Sequence, residues 1–470
     1  MIRQFIDRNE ELGFLEERYK NKNFEFFVIY GRRRVGKTEL IKNFLKDKSH
    51  LYFLCDKSGT ERNAERFKKK AAEYLNEPII ETNDFEEIFS YFAKKISKRT
   101  IVVFDEFSYL IEKDDAIPSV FQVICDEFLK NSKVMLVLCG SSISMMEKGV
   151  LSHKSPLYGR KTGHIKVAPI NFRYFSDFFP SNSIEKNIEF YAILDGVPFY
   201  MEKFSDKKSV FENVLEQILD KRGGLYEEID FLLREELREP DVYKTIIAAI
   251  ASGKTKVVDI ANKSNIKVQD IDKYLKVLIR LGIVKKEILV TEIKTKKSLY
   301  SIDDNFFNFS FIFAEPYKSD MEIGEINNIK NKLDIGFSSY VGRKFEKLIR
   351  DDILKMMGIM QIEKIGRWWG NLRENGIKKS IEIDIVALNE EKKEILFGEC
   401  KWKDKVNALS VVNELSEKAK HVDWNLTARG ESYAIFAKSF SKRINEFEGR
   451  RVHCFDLHDI ELALKRKKSI

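Results

Sequence analysis

The segment Gly31-Arg32-Arg33-Arg34-Val35-Gly36-Lys37-Thr38 satisfies the spacing G-x-x-x-x-G-K-[ST] at every fixed position. Its flanks turn the match into a constraint on the fold. The apolar run Phe24–Tyr30 reads as a buried strand and Glu39–Lys46 as a helix. A strand that curls through two glycines into a helix aims successive backbone N–H groups, and the positive end of the helix, at one anion. In that setting Lys37 is expected to reach the β- and γ-phosphates of a nucleotide, with the Thr38 hydroxyl on Mg²⁺.

Such a loop needs acids on a neighbouring strand. Ile101–Phe104 supplies the strand, and Asp105 and Glu106 stand at its carboxyl end. Asp105 is the expected metal-holding acid, and Glu106 is placed to orient or deprotonate a water. A third strand, Val134–Cys139, runs into Gly140-Ser141-Ser142. Ser141 is a candidate sensor of the γ-phosphate, although turn chemistry alone explains small polar residues there. Asn331-Lys332-Leu333-Asp334 spells the guanine-reading N-K-x-D, but no strand precedes it, and the acid strand continues Asp-Glu-Phe rather than D-x-x-G. Adenine, hence ATP, is the expected nucleotide.

Apolar strand-like runs, with Leu51–Cys55 as a fourth, alternate with helical segments such as Glu61–Leu75 as far as Phe179. That alternation predicts an α/β domain whose parallel sheet is covered on both faces. Ile184–Arg238 turns to helical periodicity and reads as a helical lid, giving a first domain over 1–238. Over 239–317, helices at Val242–Ala251, Val257–Lys263 and Val268–Leu281 precede a hairpin, Ile283–Val290 with Ser298–Ile302. That order predicts a winged helix-turn-helix, with Lys273, Lys276, Arg280, Lys294, Lys296 and Lys297 available to DNA phosphates. The stripe Phe306, Phe309, Phe313, Tyr317 reads first as helix packing and second as a stacking face for nucleic acid. Polar Lys318–Asp334 reads as a linker, and 335–470 as a C-terminal α/β domain.

At 470 residues the chain exceeds one compact core. The net charge of +8 separates 82 basic from 74 acidic residues, which permits nucleic-acid binding without requiring it. No apolar run approaches the ~20 residues that span a bilayer, and no signal peptide opens the chain. Five scattered cysteines without a CxxC pair read as reduced thiols of a cytoplasmic protein. His453, Cys454 and His458 make no metal pattern.

Phe5-Ile6-Asp7-Arg8-Asn9-Glu10-Glu11-Leu12, the GRRRVGKTELI and VVFDEF runs, LCGSS, Ser155–Arg160 and Asp195-Gly196-Val197-Pro198 together resemble the archaeal-type ATPase family, close to the AAA+ and STAND NTPases. The resemblance implies that Ile6 and Arg8 lie near the adenine. It makes Arg160 a candidate γ-phosphate arginine, in cis or across a subunit boundary of a homo-oligomer, with a surface salt bridge as the alternative. A winged helix and a C-terminal extension also accompany that family.

A second constellation is Asp384 with Glu399-Cys400-Lys401, and Glu346 upstream. It resembles the PD-(D/E)xK nucleases. Strand period 2 puts Glu399 and Lys401 on one face, and a hairpin with a turn at Asn389–Lys393 brings Asp384 beside them. Two such acids, with Glu346 in support, suit a hard divalent cation, Mg²⁺ or Mn²⁺, and Lys401 suits a water attacking a phosphodiester. Glu382 competes for the first acid's role, and an amphipathic hairpin with solvated charges is the plainer reading. Gly366-Arg367-Trp368-Trp369-Gly370 reads either as a groove lining or as a tryptophan-packed turn. The leading expectation is an ATP-dependent enzyme acting on DNA. The alternative is an ATP-controlled switch that binds a protein partner, its nuclease-like domain serving as scaffold.

Overall fold

The computed structural model describes residues 5–292, 298–374 and 377–467. It divides into two compact units, Met1–Ile170 with Val197–Phe199, and Asn171–Gly196 with Tyr200–Ile470. The units do not follow the boundaries expected at 238, 317 and 334. The lid segment belongs with the helices after it because Ile184–Leu194 packs on Asn305–Phe313. There Tyr340 donates its hydroxyl to Ala192 O at 2.7 Å and Asn305 O at 3.0 Å.

In the first unit, β1 (Glu25–Tyr30), β2 (His50–Leu54), β3 (Thr100–Asp105), β4 (Val134–Gly140) and β5 (Gly163–Lys166) form one parallel sheet in the order β2-β3-β4-β1-β5. Every residue of β1, β3 and β4 is buried. That is why these strands read as unbroken apolar runs rather than as alternations. Phe26, Phe53, Phe67, Phe89 and Phe104 fill one face of the sheet, and Phe27, Ile29, Leu40 and Ile41 the other. Because β4 lies between β3 and β1, the loop after β1, the acids ending β3 and the serines after β4 emerge side by side. β5 was not foreseen, since only Ile165 of its four residues is buried.

In the second unit, helices Pro240–Ala251, Val257–Lys263 and Val268–Arg280 precede the antiparallel hairpin β6 (Val284–Glu287) and β7 (Leu299–Ile302). Lys294, Lys296 and Lys297 lie outside the described residues. Phe306, Phe309 and Phe313 are buried. Phe306 packs its ring on Tyr200, and Phe309 and Phe313 pack theirs on Tyr340, so these three residues of the aromatic stripe are core, while Tyr317 is only half-buried.

The segment expected as a linker is helical instead, in Lys318–Ile323 and the start of Asn327–Leu348. Met321, Ile329 and Leu333 are its buried residues, too few to register as a helix in so polar a stretch. Leu333 of the N-K-x-D string is one of them.

A six-stranded mixed sheet completes this unit. It draws on β8 (Lys364–Glu374), β9 (Ile377–Asn389), β10 (Glu394–Lys401), β12 (Gly430–Ala437), β14 (Glu446–Phe447) and β15 (Arg450–Phe455), in the order β14-β15-β12-β10-β9-β8. β11 (Val406–Asn407) and β13 (Phe440–Lys442) pair separately. Residues 366–370 lie within strand β8 rather than in a turn, with Trp368 buried against Ile381 and Ile383. Helix Ala408–Ala419 covers β9, β10 and β12. No helix among the described residues is long and apolar enough to cross a membrane.

Candidate functional site

The loop after β1 has the backbone its glycines were expected to allow. Gly36 has φ +91° and Gly31 φ +153°. A Cβ at Gly31 would sit 2.4 Å from Val167 O, so no other residue fits this approach to the neighbouring strand. Arg34 also takes a positive φ, +73°, and its guanidinium lies 3.9 Å over the Phe199 ring. Arg33 donates to the Tyr109 hydroxyl at 3.0 Å, and buried Val35 joins the core beneath the loop. Lys37 is buried and donates from Nζ to Gly31 O and Arg32 O, both at 2.9 Å. Burial lowers its pKa, against the pull of Cys139, Glu106 and Asp105. The loop's one buried ammonium therefore folds back on the loop's own carbonyls, and a phosphate in the cradle offers it a charged partner instead.

The acids stand where the strand order predicts. Thr38 Oγ1 donates to Asp105 Oδ2 at 3.0 Å, joining the helix start to the end of β3. Tyr52, on the adjacent strand β2, donates to the same oxygen at 2.5 Å. Burial, then this bond, raise the Tyr52 pKa and keep the phenol protonated. Glu106 has φ +55°, an unfavourable conformation for a side chain of that size. Its carboxylate accepts from Ser141 Oγ at 2.6 Å and Ser141 N at 3.3 Å. Ser141 is thus more than a turn residue. Tyr52 was not singled out from sequence, where it looks like one more residue of an apolar strand.

Residues assigned by resemblance are placed less directly. Arg8 is buried and gives its guanidinium to Val35 O at 3.1 Å, to Ala168 O and to Glu11. It therefore props the loop. Ile6 is half-buried nearby in sequence. Arg160 forks onto Asp126, Nε to Oδ1 at 2.9 Å and Nη2 to Oδ2 at 2.7 Å, and reaches Pro156 O with Nη1. Among the described residues no hydrogen bond or ion pair joins it to the phosphate loop, so within one chain it stands as the salt bridge of the alternative reading.

The second constellation also assembles. The antiparallel β9–β10 ladder runs to Gly398 opposite Ile385, and Glu399 and Asp384 are the next residues on the two strands. Cys400 N donates to Asp384 Oδ2 at 3.0 Å. Glu399 is buried and its Oε1 accepts from Lys401 at 2.8 Å and from Lys418 at 3.2 Å. Burial, then the Glu399 charge, push Asp384 up to about 6. Glu346, on helix Asn327–Leu348, is pushed up to about 7 by burial and then by Asp384. Glu382 is exposed and tied to Arg367 at 2.8 Å, which removes it as the rival acid.

Among the described residues no three acids, histidines or cysteines are grouped to hold a metal ion; Glu346 and Asp384 act on each other through their charges. Two neighbouring carboxylates suit Mg²⁺, which keeps several waters and takes only one or two protein carboxylates. Lys418 escaped notice in the sequence because it follows the E-x-K strand by a helix of ordinary amphipathic pattern.

Residues 5–204 match a family described as an ATPase domain predominantly from Archaea. Residues 309–418 match one described as archaea bacterial proteins of unknown function. The chain is 37% identical over 464 residues to an uncharacterised protein of Methanocaldococcus jannaschii, covering 97% of this chain and 99% of that one. A 47-residue stretch, 10% of this chain and 80% of the other, is 51% identical to an uncharacterised ATP-binding protein of the same organism. The Walker-type ATPase of Pyrococcus abyssi superposes with a TM-score of 0.51 at 21% identity, over 65% of this chain and 96% of that one, a likeness of fold.

Proposed function

This chain belongs to the ATPase family found predominantly in Archaea, and from that premise we propose that it hydrolyses ATP at the Gly31–Thr38 loop to control a DNA-acting C-terminal unit. The observation that carries the ATPase reading is the continuous chain of contacts Thr38–Asp105 and Glu106–Ser141 across the tips of three adjacent strands. Lys37 exchanges its loop carbonyls for phosphate oxygens. Thr38 and Asp105 hold the metal, Glu106 orients the water, and Ser141 holds the Glu106 carboxylate until a γ-phosphate competes for its hydroxyl. Mg²⁺ would supply charge neutralisation at the phosphates. ATP turnover by the full chain, lost in Lys37→Ala, tests this reading.

In the same reading the helix Val268–Arg280 and its hairpin dock duplex as a winged helix, while Asp384, Glu399 and Lys401 form a metal-dependent phosphodiesterase centre. What supports the centre is the nearness of Asp384 to the E-x-K strand, where Cys400 N donates to its carboxylate and the Glu399 charge raises its pKa, with Lys401 bonded to Glu399. One observation favours the alternative of a protein-binding switch on a nuclease-like scaffold: two lysines already satisfy Glu399. Cleavage of plasmid and single-stranded DNA with Mg²⁺ or Mn²⁺, with and without ATP, separates the two.

A further inference from the structure

The second unit contains a cavity of about 470 Å³ between the hairpin β6–β7, the helix Pro240–Ala251 and the helix carrying Glu346. Six basic side chains line it, Lys285, Arg343, Lys344, Lys347, Arg350 and Arg367, against two acidic ones, Glu287 and Glu346. Most of the basic groups are already engaged. Lys285, Arg350 and Arg367 all reach Glu287, at 3.0, 3.9 and 3.2 Å, and Lys347 reaches Asp303 at 3.3 Å.

Lys344 differs. It is 7% exposed, and among the described residues its amine makes no ion pair or hydrogen bond; the Tyr340 ring lies 5.6 Å from Nζ, and burial, then the Lys347 charge, push its pKa down to about 7 against the more distant pull of Asp195, Asp303 and Asp304. A buried, unpaired ammonium is among the costliest groups a fold can hold. Arg343, exposed on the preceding residue, donates among the described residues only to Ser339 Oγ at 3.4 Å. On the hairpin side Ser301, also lining the cavity, buries a hydroxyl with no hydrogen-bond partner. Two basic side chains with much of their bonding capacity unused thus line a space of the size that holds small ligands, with an unpartnered hydroxyl buried beside it.

We propose that this cavity is a phosphate-recognition site for a nucleotide, either free or at the end of a nucleic-acid strand, with Lys344 and Arg343 as its principal cations. A phosphate has the several oxygens needed to accept from an ammonium, a guanidinium and a hydroxyl at once. The proposal does not depend on the carboxylate centre being catalytic, since it concerns binding alone.

The test uses the full chain with its ATP site saturated by Mg²⁺ and a non-hydrolysable ATP analogue. Binding of a 5′-phosphorylated trinucleotide is compared with the unphosphorylated trinucleotide, and of deoxythymidine monophosphate with deoxythymidine. The phosphate is expected to tighten binding at least about tenfold, as a charge-assisted contact does. A gain in the mononucleotide pair assigns a free nucleotide, and a gain confined to the trinucleotide assigns a strand end. Lys344→Met should erase the gain, leave ATP turnover unchanged and raise the melting temperature, because it removes a buried amine that has no hydrogen-bonding partner. Arg343→Gln, at an exposed position, should reduce the gain without threatening the fold. Equal affinity with and without phosphate in the wild-type chain, or a gain that survives in both variants, overturns the proposal.

Discussion

Ser141 Oγ donates to Glu106 Oε2 at 2.6 Å, so the tip of β4 holds the carboxylate that follows β3. The bond gives the acid proposed to handle the water a fixed resting position despite its positive φ. Glu106→Gln is expected to bind ATP normally and to slow turnover by about a hundredfold or more, the usual loss of a general base. Ser141→Ala should leave ATP affinity within about threefold and lower turnover about tenfold, the scale of one charge-assisted bond. ATP affinity and steady-state hydrolysis measured on both variants check this, and wild-type turnover in both would remove Glu106 from the mechanism.

Arg160 poses a separate question. Its fork on Asp126 leaves the two side chains 30% and 44% exposed, and an ion pair so wetted contributes about 1 kcal/mol or less. In a chain acting alone, Arg160→Ala should shift the melting temperature slightly and leave ATP turnover unchanged. A tenfold fall in turnover that grows with protein concentration would instead place Arg160 at a neighbouring subunit's nucleotide, at the expense of the Asp126 pair.

Docking of DNA on the helix Val268–Arg280 has a thermodynamic signature. Lys273, Lys276 and Arg280 are exposed on it, and Lys276 gives up only the i,i+4 partner Asp272 to reach a phosphate. Each phosphate contact contributes about 0.9 to the slope of log affinity against log salt. Lys273→Glu with Lys276→Glu should therefore weaken duplex binding and flatten that slope by about 2. An unchanged slope means the helix does not face DNA.

The nucleotide site was legible because its residues lie at strand ends in buried, strand-length apolar runs, where local sequence dictates local structure. That Asp384 comes beside the E-x-K strand, where Cys400 N donates to it, was legible for a related reason: a hairpin's register follows from its turn. What escaped depends on contacts distant in sequence. Tyr52 meets Asp105 only through strand order, and Lys418 meets Glu399 only because helix Ala408–Ala419 lies across the sheet. The supposed linker shows the same limit. Within that stretch helix Asn327–Leu348 buries only Ile329 and Leu333, and the rest of its inward face comes later in the chain, so the apolar periodicity that marks a helix is too sparse there to read.

The carboxylate centre carries the most demanding prediction, because it ties stability to pH and metal together. Glu346 is pushed up from 4.5 to about 7, by burial first and Asp384 second. Asp384 is pushed up from 3.8 to about 6, by burial first and Glu399 second. Between about pH 4 and pH 7 the folded chain then holds protons that the unfolded chain has released, so stability falls as pH rises through that window. The contribution is fully present below the unfolded values and gone above the folded ones. A divalent cation relieves the repulsion that raises both groups. Mg²⁺ or Mn²⁺ should therefore raise the melting temperature at pH 7.5 and have little effect at pH 5, where protons do the same service. Asp384→Asn should stabilise the metal-free chain above pH 7, flatten its pH dependence and abolish the metal-induced rise. Lys401→Ala should keep the rise and lose DNA cleavage, since the lysine serves the attacking water and not the ion. Thermal melts across pH 5–8 with and without metal, beside a cleavage assay, decide the matter: a melting temperature indifferent to Mg²⁺ and Mn²⁺ at pH 7.5 leaves Asp384 and Glu399 as a buried, lysine-neutralised scaffold.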